Sequence, residues 1–353
     1  MTEDVLTRKD GALGHITLNR PAALHALTEA MCVKMTDALL AWRDDADVQA
    51  VLIDHAPGTR GFCSGGDIRF IADSAKEGGE GARKFFFNEY RLNHLLHEYQ
   101  KPVIALVDGI VMGGGVGISA PARYRVASER TTYAMPETGI GLFPDVGGGW
   151  FLPRLPDHIG YWLALTGARI KAADCLAAGV STHFVQSDAI AALSERLKSV
   201  AGDADIEAAL KDAAGDAGPV KELNADNRAI IERCFKKDSA EEVVAALKAE
   251  TSDWAQAQLG VIATKSPQTV KVALRQMHEG AAMKDFADNM KMEYRLASRL
   301  IHKNDFQEGV RAVIVDKDNA PKWKPETLEG VSAAMLDEAF APLPAQEEWT
   351  PLI

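Results

Sequence analysis

The sequence predicts an α/β fold whose last part is mainly helical, and three observations carry that prediction. Short apolar runs bounded by turn residues, such as "AVLIDHA" (50–56) and "PVIALVDG" (102–109), read as buried strands. Longer stretches with apolar residues at helical spacing lie between such runs, and strands alternating with helices indicate parallel pairing. Past Val185 the texture changes, because residues 186–255 are rich in Ala, Asp, Glu and Lys and poor in aromatics. The chain therefore divides into an α/β core over 1–190 and a mainly helical insertion and C-terminal region over 191–353.

Each element has its own signal. "HITLNR" (15–20) alternates apolar and polar residues and stops at Pro21, as a strand does. "LHALTEAMCVKMTDALLAWRDD" (24–45) has a helical period, with Thr28 as an N-cap. "EGARKFFFNEYRLNHLLHEYQ" (80–100) is a helix with a broad apolar face, and "YRVASE" and "TTYAMPE" are further strands. Residues 186–255 read as surface helices joined by "GDAGP". From "SPQTVKVALRQM" (266–277) to about 304 the helical period returns, and the tail, 318–353, with its five prolines, reads as irregular. There is no internal repeat.

Composition narrows the function classes. The 353 residues are 47% hydrophobic, ample for a large core. A net charge of −11 without a Lys/Arg run argues against nucleic acid and anionic membrane as partners. Any anionic ligand must be held by local donors. The run 102–122 is long enough to span a bilayer, but its five glycines and two prolines break the helix a span needs. Cys32, Cys63, Cys175 and Cys234 form no CxxC, so they read as reduced thiols. The acidic N-terminus lacks an apolar leader segment, and a cytoplasmic location is the expectation.

Three glycine-rich segments carry the chemistry. "GFCSGGDIRF" (61–70) and "DGIVMGGGVGIS" (108–119) each follow a strand and open a helix. That geometry leaves backbone N–H groups pointing forward, and two such loops can converge two donors on one oxygen. Tight packing of chain against chain is the alternative. The third segment, "MPETGIGLFPDVGGGW" (135–150), is too rich in glycine and proline for a helix, yet carries Glu137 and Asp145. Their neighbours Met135, Ile140, Leu142, Phe143 and Val146 are apolar. A carboxyl in such surroundings loses hydration and binds its proton more tightly, as a general base or nucleophile requires. Solvated loop acids are the alternative here.

Other motifs fail. There is no GxGxxG with an acidic partner, no GxxxxGK[ST] and no GxSxG. His94 and His97 share a helix face without further ligands, so no metal is expected. Cys63 has no histidine placed near it and reads as a small buried residue.

These residues resemble the enoyl-CoA hydratase/isomerase (crotonase) superfamily, and within it the branch of 3-hydroxyisobutyryl-CoA hydrolases. The resemblance covers nearly the whole chain. It is densest at "HITLNRPAALHALT", "FCSGGDIR", "KPVIALVDGIVMGGGVG" and "PETGIGLFPDVGGG", and at "DFQEGVRAVIVDKDNAPKWKP" near the end. It implies a crotonase-like spiral of ββα units with a C-terminal helical region, and leaves homo-oligomerisation open. It also implies that the backbone N–H groups of Gly66 and Gly114 hold the thioester oxygen of an acyl-CoA. CoA itself would lie against Leu24 to Ala26 and along Gly66, Asp67 and Ile68. No cofactor is implied, since coenzyme A is part of the substrate.

The acid set departs from that of hydratases. Their two glutamates fall at Glu137 and at the position of Gly117, where this chain has no acid. The hydrolase branch carries an aspartate at Asp145 and a glutamate at Glu89. The resemblance therefore implies hydrolysis of a small β-hydroxyacyl-CoA, 3-hydroxyisobutyryl-CoA first, in valine breakdown. Glu137 and Asp145 would be catalytic, and Glu89 would contact the substrate. Enoyl-CoA hydratase/isomerase activity is the alternative within the family. A non-catalytic acyl-CoA-binding protein is the alternative from another class.

Overall fold

The apolar runs form strands that alternate between two sheets. The computed structural model describes residues 3–353. Its strands are β1 (Val5–Asp10), β2 (Leu13–Leu18), β3 (Ala50–His55), β4 (Gly61–Cys63), β5 (Val103–Val107), β6 (Ile110–Met112), β7 (Tyr124–Ala127), β8 (Thr132–Ala134), β9 (Ile170–Lys171) and β10 (His183–Phe184). One sheet has the order β1-β2-β3-β5-β7-β10 and the other β4-β6-β8-β9. The chain thus visits the large sheet, crosses to the small one, and returns one strand further along. β4, β6 and β8 are parallel neighbours; β6 and β8 pair regularly, with Val111 opposite Tyr133 and Met112 opposite Ala134, while the β4–β6 register shifts between Gly61 and Cys63. Their C-terminal ends therefore meet at one edge, and that edge carries all three glycine-rich segments.

Burial on both faces explains the continuous apolar strands. One face of the large sheet joins the main core, which extends from Val5 to Trp349. The opposite face buries Leu13, Leu52, Ile104, Leu106 and Val126 under Leu193, Leu197, Ile206 and Leu210. The helices Ile190–Leu197 and Asp203–Asp212 are thus a covering layer, not merely surface decoration. The alternation in "HITLNR" marks a strand, and β2 is buried throughout. His15 is accommodated by a 2.8 Å contact from its Nε2 to Asp54 Oδ2.

Helix α1 (Glu29–Arg43) starts where Thr28 caps it, its side chain accepting from the Met31 N–H at 3.3 Å. The helical period begins earlier in sequence, at Leu24, but Leu24 and His25 have φ of 48° and 58° and form a turn instead. Further helices are α2 (Ile68–Lys76), α3 (Glu80–His97), α4 (Gly114–Ser119) and α5 (Gly148–Phe151). Two corrections follow. The stretch 135–150 is not free of helix, since Glu137–Ile140 makes a 3-10 turn and the glycine triplet opens α5. Glycines without side chains let that turn and α5 pack against other backbone. The tail is not irregular throughout either: Ala333–Phe340 is helical and Trp349 is fully buried, its indole N–H donating to the Phe87 carbonyl at 3.1 Å.

The C-terminal helices hold the third segment in place. The Ser266 N–H donates to the Thr138 carbonyl at 3.1 Å. Gly141 and Gly309 let the 3-10 turn and the helix Asn304–Val310 approach backbone to backbone. No helix among the described residues is long and apolar enough to cross a membrane.

Candidate active site

The first glycine loop is fixed from behind. Ser64 N–H donates to Leu24 O at 3.0 Å, Leu27 N–H to Gly65 O at 2.8 Å, and Asp67 N–H to Leu27 O at 2.9 Å. Asp67 then caps α2 through the Phe70 N–H and takes Arg20 Nη2 at 2.8 Å. These bonds orient the intervening peptide so that the Gly66 N–H stays free. In the second loop, Gly113 O accepts from Val116 N at 2.7 Å and Gly117 N at 3.1 Å, which starts α4. Gly114 is the first residue of that helix, where N–H groups have no intrahelical acceptor. Among the described residues, neither Gly66 N nor Gly114 N has a hydrogen-bond acceptor. Both line one cavity of about 500 Å³, within the range of small-molecule sites.

Glu89, Glu137 and Asp145 line the same cavity. Glu89 comes from the middle of α3, 1% exposed, and its Oε1 has no partner among the described residues. A Cβ on Gly114 would stand 2.5 Å from that oxygen, so only glycine leaves the carboxyl its place beside the free N–H. Glu137 follows β8, is 6% exposed, and leaves Oε2 unpartnered. Asp145 accepts from Tyr90 Oη at 2.8 Å.

Burial raises the proton affinity of all three. Asp145 is pushed up to about 6, held from rising further by the Tyr90 hydroxyl and a backbone N–H. Glu137 stands well above the usual carboxylate range through burial and the nearby Asp145. Glu89 does so through burial, then Asp145, Glu137 and Glu293. Three carboxyls so close in an apolar cavity cannot all ionise together. The set therefore retains protons near neutrality, with Asp145 the readiest to lose one.

Of the residues singled out in the sequence, Gly66, Ile68, Glu89, Gly114, Glu137 and Asp145 converge on this cavity. Leu24, Ala26 and Asp67 do not line it. They frame the first glycine loop from behind, Ala26 O accepting from Arg20 Nη1 at 3.1 Å. Cys63 is buried, with its thiol pushed up to about 12 by burial, which fits a packing role. His94 and His97 pack on the Phe286 ring, with centroids 6.1 and 4.2 Å away.

Two functional partners are not visible from local sequence. Tyr90 is the residue that holds Asp145. Glu293 holds the glycine triplet: its Oε2 accepts from Gly147 N at 2.7 Å and its Oε1 from Gly149 N at 2.9 Å. Asn289 and Gln276 donate to Oε1 as well, at 2.9 and 3.1 Å. The available signal was an acid in an apolar stripe, since Phe286, Met290, Ala297 and Leu300 share its buried face.

Gly117 lies on α4, where hydratases are expected to carry their second glutamate. Here a Cβ at that position would stand 2.6 Å from Val146 Cβ and 2.8 Å from Asn93 Nδ2. Both neighbours are buried, so the space for an acid is filled.

Comparison with known proteins agrees with this geometry. A family model described as enoyl-CoA hydratase/isomerase matches residues 13–340. A Danio rerio protein named 3-hydroxyisobutyryl-CoA hydrolase, mitochondrial, is 46% identical over 96% of this chain and 90% of its own length. The Homo sapiens protein of that name is 43% identical over 97% of this chain and 89% of its own. A solved carnitinyl-CoA dehydratase from Mycobacterium thermoresistibile superposes with a TM-score of 0.92 at 40% identity, covering 99% of both chains. A solved enoyl-CoA hydratase from Rhodobacter sphaeroides gives 0.88 at 35% identity, covering 99% of this chain and 100% of its own. The spiral expected from the resemblance is thus the fold of this chain. The expected cytoplasmic location is corrected, because these relatives are named mitochondrial. Reduced cysteines indicate a reducing milieu and do not identify which compartment supplies it.

Proposed function

This chain belongs to the enoyl-CoA hydratase/isomerase family, and from that premise we propose that it hydrolyses the thioester of a small β-hydroxyacyl-CoA, with 3-hydroxyisobutyryl-CoA as the substrate. The observation that carries this reading is the acid set. Glu89, Glu137 and Asp145 share one cavity with two free backbone donors, while the second hydratase position, Gly117, has no room for an acid. The names of the curated relatives support the same reaction.

The thioester oxygen sits between Gly66 N and Gly114 N, which stabilise the charge it gains; one such donor is typically worth about 10²–10³ in rate. One proton is shared by Glu137 and Asp145. When Asp145 holds it, Glu137 is a carboxylate poised to attack the carbonyl carbon or to take a proton from water. Attack gives a mixed anhydride that water then opens, and the thiolate of CoA leaves in either route. Glu89, protonated, donates to the substrate's β-hydroxyl. A site built for that hydroxyl rejects acyl chains that lack it.

The solved neighbours named carnitinyl-CoA dehydratase and enoyl-CoA hydratase favour a second reading, water addition to an enoyl-CoA. That reaction needs a group to deliver a proton to the α-carbon, and Gly117 supplies none. The test is free-thiol release from 3-hydroxyisobutyryl-CoA by the wild type and by Glu137→Gln. A loss of at least about 10²-fold in kcat with KM near its original value supports the reading. Full kcat in the variant rejects Glu137 as the reacting carboxyl.

A further inference from the structure

A second cavity, of about 210 Å³, lies across β6 from the catalytic one and shares no lining residue with it. Side chains alternate along β6, so Met112 lines the catalytic cavity and Val111 the second. Tyr133, opposite Val111 on β8, lines the second cavity too. The same division holds on α4, where Gly114 belongs to the catalytic side and Val116 to the other. Trp150 of α5 adds to the apolar lining.

Two kinds of group are at odds with these surroundings. Tyr133 is 5% exposed, and its buried hydroxyl has no hydrogen-bond partner among the described residues. Burial raises its proton affinity, so the phenol keeps its hydrogen and is a donor. The lining hydroxyls of Ser119 and Thr131, by contrast, donate to the carbonyls of Gly115 and Val107. A buried donor left unmet costs stability, and a bound acceptor removes that cost. The second kind is arginine. Arg125 lines the cavity and donates to the carbonyls of Val180, Ala122 and Gly179 at 3.0, 2.7 and 3.2 Å. A guanidinium has more N–H groups than these bonds use, and none of them meets a carboxylate among the described residues. Arg154, also in the lining, sits 3.6 Å over the Trp150 ring and bonds to the carbonyls of Trp150, Gly280 and Met283.

An acceptor for the Tyr133 hydroxyl, a negative charge for the arginines and an apolar body for Val111, Val116 and Trp150 describe one kind of molecule. The cavity is smaller than the roughly 300–1,000 Å³ of ordinary ligand pockets, which keeps the occupant short. We propose that this cavity is a second binding site, for a short-chain aliphatic carboxylate whose oxygens accept from the Tyr133 hydroxyl and answer the Arg125 charge. Water alone would meet the hydroxyl but neither the charge nor the apolar walls. The site stands apart from the acyl-CoA chemistry, since none of its residues takes part in that reaction.

The probe is isobutyrate, with isobutyramide as its neutral isostere, titrated calorimetrically into the full chain. The proposal expects isobutyrate to bind with a Kd of about 1 mM or tighter, and at least about tenfold more tightly than the amide. Tyr133→Phe removes the hydroxyl and keeps the ring, and it should weaken isobutyrate at least about tenfold. Val180→Phe is the second variant. Val180 lines the cavity from the loop that Arg125 holds, so a larger ring there should close the site and abolish binding. Melting curves verify that both variants fold. Three results overturn the proposal. One is no binding of isobutyrate to the wild type at about 50 mM, well above that Kd. Another is equal binding of acid and amide, which removes the anionic ligand. The last is binding that persists unchanged in both variants, which puts the probe in the catalytic cavity.

Discussion

Tyr90 donates its phenolic hydrogen to Asp145 Oδ2 at 2.8 Å, linking the centre of α3 to the third glycine-rich segment. The bond favours the ionised aspartate and keeps its carboxyl near 6 in surroundings that would push it higher. Replacing Tyr90 by Phe removes the donor and keeps the ring. The acid limb of kcat/KM for thioester hydrolysis should move upward by about one pH unit, the scale of one hydrogen bond to a charged group. A pH–rate profile of the two proteins checks this. An unmoved limb would mean that the first ionisation of the Asp145–Glu137 pair does not govern activity.

Glu89 gives a second prediction, on stability. Its carboxyl binds a proton more firmly in the folded chain than at its ordinary value of 4.5. Between that value and the raised folded one, the folded chain holds a proton that the unfolded chain has released. The stability Glu89 contributes is therefore present below about 4.5 and is lost as pH rises toward the folded value. Glu89→Gln removes this dependence, and its unpartnered oxygen means that few bonds are lost. The variant should melt with the wild type at pH 4.5 and about 2 °C or more above it at pH 8, while losing activity. Melting curves at the two pH values decide; equal melting at pH 8 would show that Glu89 ionises in the fold without cost.

Glu293 does not line the cavity, yet it places Asp145. It accepts the N–H groups of Gly147 and Gly149, two and four residues beyond that aspartate. Glu293→Ala strands two buried backbone donors and frees the triplet. We expect a loss of about 3 kcal/mol of stability from two buried backbone donors left unmet. Hydrolysis should fall at least about tenfold, because a displaced Asp145 no longer meets Tyr90. Denaturant unfolding and steady-state rates, measured together, separate the two effects. Full activity in a folded variant would contradict the positioning role.

The parts of this fold that were legible in the sequence are those with a local cause. Buried parallel strands carry continuous apolar runs, and the glycine loops stand out because little else puts so many glycines after strands. β1 escaped notice because "VLTRKD" is an edge strand with exposed polar residues, and its partner β2 is what makes it a strand. The helix Ala333–Phe340 was hidden among prolines. The site was legible as three separate segments. Their convergence follows from β4, β6 and β8 being parallel neighbours, which no local pattern announces. Glu293 lies 144 residues from Gly149, so its role emerges only when the C-terminal helices fold back.

The central claim is that the rearranged acids favour hydrolysis over hydration, and a paired assay on one preparation tests it most directly. Free-thiol release is followed with 3-hydroxyisobutyryl-CoA, and loss of enoyl absorbance with crotonyl-CoA. With Gly117 closed off by Val146 and Asn93, the α-carbon lacks the proton donor that hydration needs. The account predicts hydrolysis faster than hydration by about 10²-fold or more, the scale of one missing general acid. Hydration as fast as hydrolysis, or faster, would contradict it.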